Sequence, residues 1–100
     1  MNTGDMGDEV EDLERLSRVR ELAISGEARM IRENARLSTT DLARAIGVDK
    51  SLVSRWERGD RLPRASAAAL RYEAILVRLR KMRTTVGAQV VVDGGRKDPA

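Results

Sequence analysis

Lys50, Ser51, Ser54, Arg55 and Arg58 follow one another at steps of one, three, one and three residues. On a helix that spacing gathers them on one face, opposite Val53 and Trp56. The face offers an ammonium, two hydroxyls and two guanidiniums, groups that hydrogen-bond and hold anions but do not break covalent bonds unaided. A short polar, cation-bearing helix face of this kind suits a major groove. Little else in the chain points to bond-breaking chemistry. Cysteine and histidine are both absent, which excludes thiol nucleophiles, imidazole bases and Cys/His zinc sites. Tyr72, the one tyrosine, would need surrounding arginines and a histidine or lysine acid to act as a recombinase nucleophile, and the chain is too small for that fold. No carboxylate cluster stands out, so the expectation is a binding protein, not an enzyme, with no cofactor and no metal.

The charge balance supports an anionic partner. The 100 residues hold 19 Lys and Arg against 16 Asp and Glu, a net charge of +3. All but three of the bases are arginine, the side chain that forks onto phosphates and guanine edges. Residues 1–24 carry seven acids and three bases, whereas 25–100 carry nine acids and sixteen bases. An acidic arm on a basic body points toward a polyanion.

Such a face must be held by something rigid, and the apolar pattern supplies helices to do it. Aromatic residues make up only 2% of the chain, so the core has to be built from Ala, Leu, Val, Ile and Met in packed helices. Val10, Leu13, Leu16, Val19, Ala23 and Ile24 recur at helical steps across 8–24, in a stripe that drifts around the helix. Glu11–Arg15 and Glu14–Arg18 are spaced for pairing along that helix. Ser25-Gly26 breaks it, with Ser25 placed to cap a second helix over 27–36. Ser38 or Thr39 caps a third helix that stops at Gly47, and Asp49 caps a fourth that ends at Gly59. Between those two, Ala43 is small enough for a close crossing and Gly47 tolerates a positive φ. Trp56 reads as core with Val48 and Val53. A basic Gly/Pro loop (58–64) leads to a long helix from Pro63 to about Arg83. Beyond Thr84 the helical signal fades, and Val90–Val92 is at most a short strand within a flexible tail. Met1–Gly7 is read as a flexible lead.

Two runs carry a family resemblance. Leu37-Ser38-Thr39-Thr40-Asp41-Leu42-Ala43-Arg44-Ala45-Ile46-Gly47-Val48, followed by Ser51-Leu52-Val53-Ser54-Arg55-Trp56-Glu57-Arg58-Gly59, resembles the phage repressor/Cro (XRE-type) helix-turn-helix family. The likeness spans roughly residues 27–79. It implies that helix 49–58 is the recognition helix, with Lys50, Ser51, Ser54 and Arg55 at base edges. It also implies phosphate contacts at Thr39, Thr40, Arg58, Arg61 and Arg64, and a structural ion pair between Arg32 and Glu57.

The expected fold is therefore all-α: a compact bundle of about five helices containing a helix-turn-helix. It is divided into an acidic N-terminal arm or helix (1–24), a DNA-binding domain (25–83) and a flexible tail (84–100). The expected function is sequence-specific binding of double-stranded DNA as a repressor-type transcriptional regulator. Residues 64–83 offer two apolar rows, Leu70–Ala74–Val77 and Ile75–Leu79–Met82, that call for a cover, and a homodimer is favoured because a lone helix-turn-helix seldom buries enough contacts for specific binding. The alternative cover for those rows is the N-terminal helix itself. Two other functions fit the same residues: an antitoxin-type autoregulator that binds a protein partner through its acidic N-terminal helix or tail, and an adaptor that has lost DNA binding. No apolar run is long enough to span a membrane, and a soluble cytoplasmic, nucleoid-associated protein is expected.

Overall fold

The computed structural model describes the backbone of residues 3–94 and the side chains of residues 8–82. Five helices follow in order: α1 (Thr3–Ser25), α2 (Glu27–Asn34), α3 (Thr39–Ile46), α4 (Lys50–Arg58) and α5 (Ala67–Gly94). Among the described residues there is no strand, so the chain is an all-α bundle. The local chemistry that ends each helix is visible. Ser38 and Asp41 form a reciprocal capping box, at 3.0 Å from the Asp41 amide to Ser38 Oγ and 2.9 Å from the Ser38 amide to Asp41 Oδ2. Asp49 accepts from the Ser51 amide at 2.9 Å and so caps α4. Gly47 closes α3 at φ 89°, a left-handed geometry that a side chain resists.

One buried cluster joins the helices. It runs from Leu16, Val19 and Leu22 of α1 through Ile46 and Val53 to Trp56, Tyr72 and Leu76. The Trp56 and Tyr72 rings stack with centroids 4.8 Å apart and planes 24° from parallel, an arrangement worth about 0.5–1.5 kcal/mol beyond the area it buries. Trp56 is thus core. In α1, Val19 is fully buried and Leu22 nearly so, each worth about 1.5–3 kcal/mol of apolar burial. The N-terminal helix covers α5 within its own chain.

Several local expectations are corrected. Arg15 and Arg18 do not serve the glutamates four residues before them. Arg15 Nε lies 2.8 Å from Glu73 Oε1, and Arg18 NH1 lies 2.7 Å from Glu73 Oε2. Glu73 is buried, and a buried carboxylate without cations would cost several kcal/mol, far more than an exposed helical pair returns. Helix α2 starts on Gly26 (φ 88°) with no side-chain cap. Ser25 Oγ accepts the Glu27 amide at 3.3 Å from within the end of α1. Helix α2 also ends two residues before the expected Arg36, which is itself left-handed at φ 63°. Helix α5 begins at Ala67, where Ser66 Oγ accepts the Ala69 amide at 3.2 Å. It then runs past Arg83 to Gly94, so Val90–Val92 is helical; a lone strand would have no neighbour to complete its hydrogen bonds. The remainder of the expected tail, 95–100, lies outside the described residues, as do residues 1–2 of the expected lead, whereas Thr3–Gly7 belong to α1.

Burial alone pushes the Glu73 carboxyl up, but the hydrogen bonds from Arg15 and Arg18 outweigh it and hold it below the ordinary carboxylate value. A depressed folded-state pKa contributes stability above the unfolded value, near 4.3, that is lost as pH falls through the folded one. Glu73→Gln is expected to lower stability by about 2–3 kcal/mol at pH 7, since both arginines stay partly wet. Urea unfolding of the two proteins from pH 7 down to 3 should show the gap closing below about pH 4; a pH-independent gap would mean that packing, not charge, carries Glu73.

Candidate nucleic-acid interface

Helices α3 and α4 and the Gly47–Asp49 turn form a rigid pair. Leu42, Ala43 and Ile46 bury one side of α3, and Val53 and Trp56 bury one side of α4. Helix α5 braces the turn, with Arg71 NH1 donating to the Ile46 carbonyl at 3.0 Å. A cation there also meets the negative end of the α3 dipole.

Against that inner side, α4 leaves Lys50, Ser51, Arg55 and Arg58 exposed. Ser51 is already engaged, since its hydroxyl donates to Asp49 Oδ2 in a short hydrogen bond. That bond, followed by the Ser51 amide, holds the Asp49 carboxyl below its usual range and keeps the cap charged at neutral pH. Arg58 Nε contacts Asp60 Oδ2 at 2.9 Å, with both side chains well exposed, a pairing easily exchanged for another anion.

Ser54 differs from its neighbours on the face. It is half-buried and lines a polar cleft of about 220 Å³ with Arg29, Arg32, Thr39, Glu57 and Arg58. Three of the residues singled out for DNA contact, Thr39, Ser54 and Arg58, therefore meet in one cleft at the first turn of α3. Thr40 is half-buried beside it in sequence. Arg61 and Arg64 lie apart from this cleft, exposed at the rim of an apolar slot of about 300 Å³ floored by Leu52, Trp56 and Ala68.

The cleft is organised by one ion pair. Arg32 Nε lies 2.6 Å from Glu57 Oε2 and its NH2 lies 3.0 Å from Oε1, while NH1 donates to the Leu37 carbonyl at 2.8 Å. The Arg32 and Glu57 side chains are 12% and 6% exposed, so the fork is nearly dry. The hydrogen bond that Arg32 donates to Glu57 raises the Arg32 pKa against the opposing effect of burial, and the guanidinium stays charged at any accessible pH.

With this geometry in place, residues 23–80 match the family model of the helix-turn-helix domain. The chain belongs to the helix-turn-helix domain family. No curated protein and no solved structure shows a significant match to it. The helix-turn-helix family is a DNA-binding, non-enzymatic kind of domain. Among the described residues, no helix is long and apolar enough to cross a membrane, and no group of acidic side chains is arranged to hold a metal ion.

Three supporting residues escaped the sequence reading. Arg29 enters the cleft, and its exposed side chain also contacts Glu33 at 3.0 Å. Arg20 Nε donates to the Pro63 carbonyl at 2.8 Å and so ties α1 to the loop that carries Arg61 and Arg64. Glu73 anchors α1 from the other side. Arg20 and Glu73 act over 43 to 58 residues of separation, which leaves no trace in local spacing; Arg29 was visible only as one more helix-surface cation.

Arg32→Met is expected to cost about 3–5 kcal/mol, because it leaves Glu57 buried and uncompensated and strips the Leu37 carbonyl of its donor. Thermal melting should fall by well over 10 °C, at roughly 4–8 °C per kcal/mol for a domain of this size. An unchanged melt combined with lost DNA binding would instead place Arg32 at the interface.

Proposed function

We propose that this helix-turn-helix protein is a sequence-specific, double-stranded DNA-binding regulator of repressor type, akin to the phage repressor/Cro (XRE-type) proteins, that binds as a homodimer. The observation that supports it best is the layout of α4. One side is locked into the core by Val53, Trp56 and Glu57. The other presents Lys50, Ser51 and Arg55 to solvent. Donors on a fixed helix of nine residues match the width and hydrogen-bonding code of a major groove.

In this reading α4 lies in the groove with Lys50, Ser51 and Arg55 at base edges. Arg55 makes the forked contact with guanine O6 and N7. Ser54 faces the backbone more than the bases, since it sits in the cleft with Thr39 and Arg58. That cleft takes one phosphate, with the Thr39 and Thr40 hydroxyls at the start of α3 and Arg58 across from them. Arg61 and Arg64 take a phosphate on the other flank of α4. A protein seated this way covers the groove and backbone that a polymerase needs, so occlusion is the simplest regulation the geometry supports.

Selection of bound fragments from a random double-stranded pool tests the proposal, with an enriched motif expected and an unenriched pool refuting it. Once a site is in hand, Arg55→Ala should cost about 1–3 kcal/mol and relax preference at one base pair. Arg64→Ala should weaken all sequences alike and reduce the slope of log K against log salt by roughly one. Equal, sequence-independent losses in both variants would undo the division between reader and anchor.

A further inference from the structure

The charge of the α1–α5 layer is segregated along its length. Residues 8–14 contain Asp8, Glu9, Glu11, Asp12 and Glu14 and no base, whereas residues 78–83 contain four bases and no acid. Val10 and Leu13 of α1 stand beside Ala65–Leu70, Arg15 reaches the Leu70 carbonyl at 2.8 Å, and Arg18 reaches Glu73. The acidic segment therefore lies against the start of α5. The basic segment lies farther along, with Lys81 about 16 Å beyond Leu70 at 1.5 Å per residue.

The acidic end also carries uncovered apolar surface. Val10 is 50% and Leu13 64% exposed. With Leu16, Ala65 and Leu70 they line an open groove of about 530 Å³, edged by Glu9 and Asp12. On α5, Leu70, Ala74, Val77 and Lys81 follow at steps of four, three and four, so one stripe leads from the groove to the basic end. Its three apolar members are only half-buried, and Arg78 and Lys81 are exposed.

We propose that this strip is the interface between two copies of the chain, arranged so that the acidic groove of each receives the basic Arg78–Lys81 end of the other. This rests on the homodimer in the functional reading and names its surface. Two acidic grooves set against each other would oppose like charges, which disfavours that pairing. The complementary segment is present in every copy, and a two-fold axis across the strip brings start to end twice over, so the contact closes as a dimer. Within one chain the groove sits at the start of α5, and Lys81 is held about 16 Å farther along that helix.

The test reverses each end separately: Glu9→Lys with Asp12→Lys in one protein, and Arg78→Glu with Lys81→Glu in another. All four side chains are exposed, and matching thermal melts confirm that each variant is folded. Sedimentation without DNA, at micromolar concentration, is expected to show a parental dimer and at least ~10-fold weaker self-association in each variant. An equimolar mixture of the two variants should recover the dimer, because both contacts of the mixed pair are again complementary. A monomeric parent, a base-reversed variant that dimerises normally, a mixture that stays monomeric, or chains longer than two would each overturn the proposal. Selection from the random DNA pool separates this from the functional reading. A monomer that enriches a motif overturns the interface and the homodimer but leaves the DNA reading standing, and a dimer that enriches nothing overturns the DNA reading alone.

Discussion

The fork of Arg32 on Glu57 is the constraint from which the rest of the interface takes its orientation. It stands where three pieces converge: the last turn of α2, the Leu37 corner that leads into α3, and the side of α4. Two parallel hydrogen bonds from one planar group fix a direction as well as a distance, and the third, to the Leu37 carbonyl, sets where α3 begins. Helix α4 has nine residues, too few to be stable by itself in water. Its direction must therefore come from what it leans on. Val53 and Trp56 supply adhesion, but apolar contact tolerates sliding and rolling; the Trp56–Tyr72 stack limits roll, and the fork limits both. An apolar pair of similar size would give comparable stability without aiming Lys50 and Arg55.

The same requirement gives α1 a part in holding the site although the family match begins only at residue 23. The loop bearing Arg61 and Arg64 has no regular structure to hold it. Pro63 is fully buried, and its carbonyl is taken by Arg20 of α1. Helix α1 is in turn fastened to α5 by the two arginines on Glu73. The placement of Arg61 and Arg64 thus depends on contacts made by a helix that lies almost wholly outside the family match.

How far the sequence could be read follows from the range of the forces involved. The α3–turn–α4 unit was legible because its determinants are local: Ser38 and Asp49 cap within three residues, and Gly47 and Gly59 accept left-handed backbone at the ends. The face of α4 was legible for the same reason. The family resemblance pointed to the Arg32 pair, which no spacing rule would have paired across 25 residues. Glu73 was missed because Arg15 and Arg18 each have a plausible glutamate four residues earlier, and only burial decides between the partners. The drifting stripe of α1 was a real signal read incompletely. It is buried from Leu16 to Ala23 and left open at Val10 and Leu13. At the far end, three successive valines suggested a strand by propensity, yet propensity is a weak prior beside the continuation of a helix already formed.

The cap of α4 also bears on how the recognition face can discriminate in the proposed complex. The Asp49 carboxylate accepts both the amide and the hydroxyl of Ser51, bonds that hold its pKa below the ordinary value. With its proton committed to Asp49, Ser51 Oγ meets a base edge with lone pairs, as an acceptor. Lys50 and Arg55 have only donors to offer. A face made solely of donors would favour guanine wherever it was placed. One acceptor in the first turn adds preference for the amino group of adenine or cytosine at the position Ser51 reaches. In the proposed complex the residue that caps α4 therefore also sets the hydrogen-bonding sense of its neighbour, and capping and base reading would be coupled through a single carboxylate.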